Sequence, residues 1–407
     1  MKAVVFTLGC KVNEVESASL MAELEKLGFE VCDKLCPADI YVLNTCAVTR
    51  EAEKKSRQLI ARVRRFNANA QIYVCGCASQ KDESQFTEKD VRFVGGAREK
   101  EKVIAAIARD CERSAPPCAE QAYPKQVKTR AFIKIQDGCN NFCSYCIIPY
   151  LRGRIRSRTI ADVVREVEAT SSSEIVLTGI NISAFGQDTG ESLAALINAL
   201  AFTDKRVRLG SLECNVIDEN FLTACKGLRD FAPQFHLSLQ SGSDAVLRAM
   251  NRRYTRAEYL EKCSLIYSYF PLAAITTDII AGFCGETEED FKDSLDVIER
   301  AGLARVHAFA FSPREGTKAY SMKDIPAPVK SQRLHSLLAA GREAEEKFIS
   351  ERIGARRGVI FEDFDGEYTG GYTEEYIKVY VKGEHTGKSG VTLKRLFRDG
   401  AEAELTE

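Results

Sequence analysis

The chain has 407 residues, is 45% hydrophobic, and carries 57 Lys and Arg against 58 Asp and Glu, a net charge of −1. That length exceeds one ordinary domain, and the balanced charge excludes a general basic field, so any nucleic-acid contact must come from local patches. The sequence has no apolar run long enough for a membrane helix, and fifteen cysteines without an export signal point to a reducing cytoplasm, where clustered thiolates read as metal ligands.

Residues 1–112 alternate short apolar strands with helical patterns. AVVFTL (3–8), ADIYVLN (38–44), QIYVC (71–75) and VRFVGG (91–96) read as strands. Between the first two, residues 14–29 place Val15, Ala18, Leu20, Leu24 and Leu27 at helical spacing, with Gly28 near the stop. This alternation predicts an open parallel α/β domain. Residues 113–128 are polar, proline-rich and aperiodic, and read as a linker. From 129 to 349 six strand candidates follow: AFIKIQ, EIVLTG, RVRLGS, FHLSLQ, AAITTDIIAGF and ARVHAFAF. Helical patterns separate most of them, one opening at Thr287 with a capping pattern, and the set suits a partial (β/α)6 barrel. Residues 350–407 are short β-rich runs between glycines, expected to form a small antiparallel β-barrel.

Chemistry concentrates in the cysteines. Cys139, Cys143 and Cys146 have Cys-x3-Cys-x2-Cys spacing, directly after the first strand of the central domain. That loop lies on the face where parallel barrels carry their active sites. Thiolates hold iron–sulfur clusters, and three cysteines on a 4Fe–4S cube leave one iron open to another ligand. The amino and carboxylate groups of S-adenosylmethionine suit that iron, which places the sulfonium beside a reductant. Zinc with a distant fourth ligand is the competing reading.

A second trio, Cys10, Cys46 and Cys77, is dispersed, but each member follows an apolar strand. Carboxyl ends of parallel strands gather along one sheet edge, so the three can meet there and hold a second cluster. Against this, free cysteines often pack as small hydrophobes. Cys75, two residues before Cys77, reads as strand packing.

With both trios located, the chain resembles the radical S-adenosylmethionine methylthiotransferases nearly end to end. TLGCKVNEVES, NTCAVT and GCASQ resemble the family's amino-terminal domain. DGCNNFCSYCIIPYLRGRIRSR, EIVLTGINISAFG, HLSLQSGSDAVLRAMNRRY and TDIIAGFCGETEEDF resemble its radical domain, and the C-terminal β region resembles the RNA-associated TRAM barrel, which is OB-like. The resemblance implies a transferase that inserts a methylthio group into an unactivated C–H bond with two 4Fe–4S clusters and two uses of S-adenosylmethionine. One molecule methylates sulfur held at the second cluster, and the other yields the radical. TLGCKVN and GYTEEYIKVYV are similar to the branch acting on N6-threonylcarbamoyladenosine at tRNA position 37. The branches acting on isopentenyladenosine in tRNA or on a ribosomal-protein aspartate are the alternatives. The implied partners are the tRNA anticodon loop and an electron donor such as flavodoxin or ferredoxin, with no membrane.

Candidate cofactor contacts lie at predicted strand ends: Thr178 and Gly179 near the methionine amino group, and Glu213, Ser238 and Gln240 near ribose or carboxylate. Asp278 and Gly282 are candidates to flank the adenine, and Arg154, within the run Arg152, Arg154, Arg156 and Arg158, for the cofactor carboxylate. Solvated strand ends, turn glycines and a solvated basic strip are the bland alternatives. Cys214 and Cys284 stand where the family commonly has proline and read as packing changes. For RNA, the barrel offers Tyr368, Tyr372, Tyr376, Tyr380, Lys378, Lys394, Arg395 and Arg398. A basic run from Lys54 to Arg65 reads as a solvated helix face.

Overall fold

The computed structural model describes residues 1–87, 91–113 and 129–406. All but the first residue of the expected linker, 113–128, lies outside the described residues. The chain divides into two compact units. The first takes the described residues up to Arg113 with Asp137–Asn140 and Cys146–Ile155, and the second takes the rest.

The first unit runs β1 (Lys2–Thr7), α1 (Lys11–Lys26), β2 (Glu30–Cys32), β3 (Ile40–Thr45), α2 (Arg50–Arg64), β4 (Gln71–Gly76), α3 (Cys77–Lys81), β5 (Val91–Val94) and α4 (Lys100–Asp110). Its sheet is parallel throughout, in the order β2-β1-β3-β4-β5. Period-two alternation makes both faces apolar, because helices cover both sides. Ala3, Val5, Ile40, Val42 and Tyr73 pack with residues of α1 and α4. Val4, Tyr41, Leu43, Ile72 and Val74 pack with Leu59, Ile60 and Val63 of α2. Helix α1 starts at Lys11, three residues before the apolar pattern alone suggests, and buries Asn13, Glu16 and Ser17 as well as its leucines. The strand order reverses between β1 and β3, and ligands bind open α/β sheets outside the carboxyl ends of strands at such a reversal.

β6 (Arg130–Asp137) leads through the cysteine loop to α5 (Ile148–Arg152), which falls in the first unit, and the second unit resumes at β7 (Arg156–Ser157). Then come α6 (Ile160–Ala169), β8 (Glu174–Gly179), α7 (Leu193–Ala199), β9 (Arg206–Leu209), β10 (Ser211–Leu212) and α8 (Glu219–Lys226). They are followed by β11 (Gln234–Leu237), α9 (Asp244–Ala249), α10 (Arg256–Tyr269), β12 (Ala274–Ala281), α11 (Glu288–Arg300), β13 (Arg305–Ala310) and α12 (Ala327–Ser350). The strands form two sheets, β7-β6-β8-β9 and β10-β11-β12-β13. The expected strand RVRLGS is divided at Gly210, so β9 and β10 belong to different sheets. One hydrophobic core nonetheless runs from Ile133 through Leu177, Leu209, Leu237 and Ile279 to Val306. Capping-box contacts open α10 at Thr255 and α11 at Thr287, the latter as the sequence predicts.

The C-terminal strands β14 (Arg356–Phe364), β15 (Tyr368–Thr373), β16 (Lys378–Lys382), β17 (Lys388–Phe397) and β18 (Gly400–Leu405) close a barrel in the order β14-β15-β16-β18-β17. The expectation of a purely antiparallel barrel needs correction, because β16 and β18 pair in parallel. A closed ring with an odd number of strands cannot alternate direction all the way round, so one parallel pair is unavoidable. The barrel core is continuous with Phe348 and Ile349 of α12 and with Ala274 and Ala304.

Candidate functional site

Three cysteines of the first unit lie where strands end at the switch edge. Cys10 follows β1 and caps α1, Cys46 follows β3, and Cys77 opens α3 directly after β4. Two of them depend on the residue before them. Gly9 has φ +117°, and a Cβ there would stand 2.9 Å from both Cβ and Sγ of Cys46. Gly76 has φ +111°, and a Cβ would meet the Thr45 carbonyl oxygen at 2.4 Å. Glycine is what lets the turns bring these segments together. Burial raises the Cys46 pKa above the ordinary thiol value, and the nearby Cys77 and Cys10 raise it further. Among the described residues no three His, Cys, Asp or Glu side chains are placed to hold a metal ion as they stand.

Beside this trio sits Arg152, from the basic run weighed for the cofactor carboxylate, with a solvated strip as the alternative. Arg152 is fully buried, not surface-exposed. Its Nη1 donates to Glu16 Oε1 at 2.8 Å and to Asp137 Oδ1 at 3.2 Å, and its Nη2 donates to Asn13 Oδ1 at 2.7 Å. Lys100 adds a second cation, 2.7 Å from Glu16. Burial pushes the Cys77 thiol up, and Arg152 opposes it by charge and by hydrogen bonding. Burial also works against the Arg152 charge, but Cys77, Glu16 and Asp137 prevail and hold its pKa above the ordinary arginine value. Arg152 Nε is buried with no hydrogen-bond partner. A guanidinium beside Cys77 suits an anionic, sulfur-ligated group at the trio. Cys75 is fully buried, with its thiol pushed up to about 12 by desolvation, in keeping with strand packing.

The other trio, Cys139, Cys143 and Cys146, occupies the loop after β6. Gly138 precedes Cys139 with φ +73°, and a Cβ there would clash with the Arg154 carbonyl oxygen at 2.0 Å. Phe142 sits at φ +49°, and its carbonyl and that of Asn141 both accept from Asn251 Nδ2 at 3.1 Å. Ser144 donates from N to Met250 O at 3.0 Å and from Oγ to Ala249 O at 2.8 Å. The segment after α9 therefore braces the loop around Cys143.

Arg252 is the residue that sequence reasoning missed here. Its Nη1 donates to Cys143 Sγ at 3.4 Å and lies 3.1 Å from Glu213 Oε1. Nη2 donates to Ser238 O at 3.1 Å, and Nε to Tyr254 Oη at 2.9 Å. Asn141 Nδ2 donates to the same Glu213 oxygen at 2.6 Å. One buried guanidinium thus gathers three residues picked from sequence: Cys143, Glu213 and Ser238. The signal lay in HLSLQSGSDAVLRAMNRRY, where adjacent arginines gave no sign of which one turns inward.

The remaining candidates divide. Thr178 is buried near the end of β8, and Gly179 closes that strand against β6, where a Cβ would meet Gln136 O at 2.8 Å. Gln240 takes φ +74° just beyond β11, and its N donates to Asp278 O at 2.8 Å. The Asp278 carboxylate lies 3.3 Å from His236 Nε2. Gly282 is a turn glycine whose N donates to the buried Glu286 at 2.9 Å. The Arg154 side chain is exposed, while Arg158 pairs with Glu166. Cys214 and Cys284 are buried, with their thiols raised by desolvation (Cys214 to about 12), as packing residues should be.

Two family models match. "Uncharacterized protein family UPF0004" covers residues 2–96 and "Radical SAM superfamily" covers 133–298. A Chlamydia pneumoniae protein named threonylcarbamoyladenosine tRNA methylthiotransferase MtaB is 37% identical over 372 residues, spanning 89% of this chain and 87% of its own. The protein of that name from Thermotoga maritima is 36% identical and spans 98% and 96%.

The chain belongs to the radical S-adenosylmethionine methylthiotransferases, of the MtaB type.

Its membership makes it a transferase of the radical class, which works with an iron–sulfur cluster and S-adenosylmethionine. The family also includes a Fervidobacterium nodosum protein named tRNA-2-methylthio-N(6)-dimethylallyladenosine synthase, 35% identical, spanning 89% of this chain and 88% of its own. Among solved structures, the radical S-adenosylmethionine methyltransferase TsrM from Kitasatospora setae superposes with a TM-score of 0.59 at 14% identity, over 90% of this chain and 82% of its own, a likeness of fold.

Proposed function

We propose that this methylthiotransferase converts N6-threonylcarbamoyladenosine at position 37 of tRNA to its 2-methylthio derivative, with one 4Fe–4S cluster on Cys139, Cys143 and Cys146 and a second on Cys10, Cys46 and Cys77. The observation that carries the reading is the second trio: three cysteines at the carboxyl ends of β1, β3 and β4, where the strand order reverses, with Cys46 in electrostatic reach of the other two. When bound, the clusters and S-adenosylmethionine supply the radical and the sulfur for the transfer.

The chain's own residues prepare that chemistry. Arg252 donates to Cys143 Sγ and fixes the carboxylate of Glu213, leaving that carboxylate oriented for a hydroxyl or ammonium of the cofactor. Arg152 does the same for Cys77 and ties it to Glu16 and Asp137. Two buried arginines set against two sets of thiolates lower the cost of placing anionic groups in a low-dielectric site.

Identity percentages do not choose the substrate, since relatives named for either modified adenosine stand at 35–37%. The TLGCKVN motif favours the threonylcarbamoyl branch. RNA contact is assigned to the barrel, an electron donor of the flavodoxin or ferredoxin kind serves the radical cluster, and the working compartment is the cytoplasm. The test is nucleoside mass spectrometry of tRNA from cells with and without the gene. Loss of 2-methylthio-threonylcarbamoyladenosine on deletion, restored by the wild type but not by Cys143→Ala, is the expected result. Unchanged levels of that nucleoside, with loss of the 2-methylthio form of isopentenyladenosine or of a ribosomal-protein modification, would reassign the substrate.

A further inference from the structure

Outside both trios, two more cysteines stand side by side. Cys32 closes edge strand β2, and Cys36 lies in the turn that leads to β3. Their Sγ atoms are 3.4 Å apart and both residues are half-buried, so small solutes can reach them. The turn is held in this shape. Tyr41 Oη donates to Cys36 O at 2.7 Å and accepts from Ala38 N at 3.2 Å, and Cys32 Sγ donates to Lys34 O at 3.5 Å. That separation is about 1.4 Å beyond disulfide bonding distance, about 2.05 Å.

The charge around the pair is also specific. The Lys2 ammonium faces Cys36, and its pKa is raised above the ordinary lysine value by that sulfur first and by Glu30 next. Burial first, and then the neighbouring Cys36, raise the Cys32 pKa above the ordinary thiol value. Cys75, Cys214 and Cys263 lie deeper, with thiols pushed up to about 12.

We propose that Cys32 and Cys36 form a reversible dithiol–disulfide site that exchanges with low-molecular-weight disulfides. Cys36, beside Lys2, attacks the external disulfide RSSR and releases one RS⁻, forming a mixed disulfide. Cys32, having given up its proton, then attacks the Cys36 sulfur and releases the second RS⁻. The protein loses two electrons and two protons, and RSSR becomes two RSH. The bond would fasten β2, which meets β1 only over Lys2–Glu30, Ala3–Val31 and Val4–Cys32, to the turn entering β3. β1 and β3 are the strands that deliver Cys10 and Cys46.

The full-length protein, purified without oxygen, is equilibrated in glutathione buffers of increasing oxidised fraction, trapped with iodoacetamide and digested with trypsin. Lys34 lies between the two cysteines, so the disulfide links peptides 27–34 and 35–50. The linked pair is expected with its bond at Cys36 by fragmentation. The Cys32→Ser variant should instead retain glutathione on Cys36, because the resolving sulfur is gone. Alkylation of both cysteines at every ratio, stable glutathione on both in the wild type, or a bond from Cys32 to Cys46 would each overturn the proposal.

Discussion

At the residue scale, each cysteine trio has a buried arginine against one of its members, and neither arginine was legible from sequence. Arg152 stands among alternating arginines of which sequence singled out Arg154, yet its register in α5 turns Arg152 inward while Arg154 stays exposed. Arg252 sits beside an identical neighbour. Burial of a cation is decided by tertiary partners, which composition cannot name. Replacing Arg252 with lysine keeps the charge but loses the fork that reaches Cys143, Glu213 and Ser238 together. Losing one charged hydrogen bond should slow S-adenosylmethionine cleavage about tenfold or more. Iron content and the cluster's visible absorbance should be retained. Loss of iron in parallel with activity would show that Arg252 only holds the fold.

At the element scale, the parallel strands were readable because each was a short apolar run between turn signals, and the cysteines after them marked their ends. The division of RVRLGS at Gly210 was not readable, since a single glycine does not announce a change of sheet. The parallel β16–β18 pair follows from barrel closure, a property of five strands together. The β4–α3 junction gives a sharp test. Gly76→Ala places a Cβ against Thr45 O in a left-handed backbone, a strain of roughly 1–3 kcal/mol. It should lower the melting temperature and remove about half of the iron by displacing Cys77. Cys75→Ala, one residue away and fully buried on the other sheet face, should keep all of its iron. Equal iron loss in both variants would count against Cys77 as the ligand.

At the scale of the whole molecule, the barrel's aromatic residues separate into two groups that sequence had pooled. Tyr372 and Tyr376 stack at 4.5 Å, and Arg130 and Arg208 lie over them. Arg208 also binds Glu174 and donates to Glu374 O and Thr373 O. That group joins the barrel to the strands β6, β8 and β9. Tyr368, Tyr380 and Phe397 instead surround Arg398, whose guanidinium lies 5.3, 4.9 and 5.0 Å from their ring centres. Arg398 also donates to Asp365 Oδ2 at 2.6 Å. Rings around an exposed cation are the chemistry the proposed RNA contact would use. Arg398→Ala should weaken tRNA binding by the folded protein and reduce its salt dependence by about one counterion. Tyr372→Ala should lower the melting temperature, with tRNA affinity of the folded fraction unchanged. The reverse pattern would exchange the two roles.

The account rests on two cysteine sites with separate duties, and one comparison tests it most directly. Cys46→Ala and Cys143→Ala are each reconstituted with iron and sulfide, and 5′-deoxyadenosine and methylthiolated nucleoside are measured together on threonylcarbamoylated tRNA. Cys143→Ala is predicted to form neither product, and Cys46→Ala to form 5′-deoxyadenosine without the methylthio nucleoside. Normal methylthiolation by Cys46→Ala would contradict the second site, and 5′-deoxyadenosine from Cys143→Ala would contradict the first.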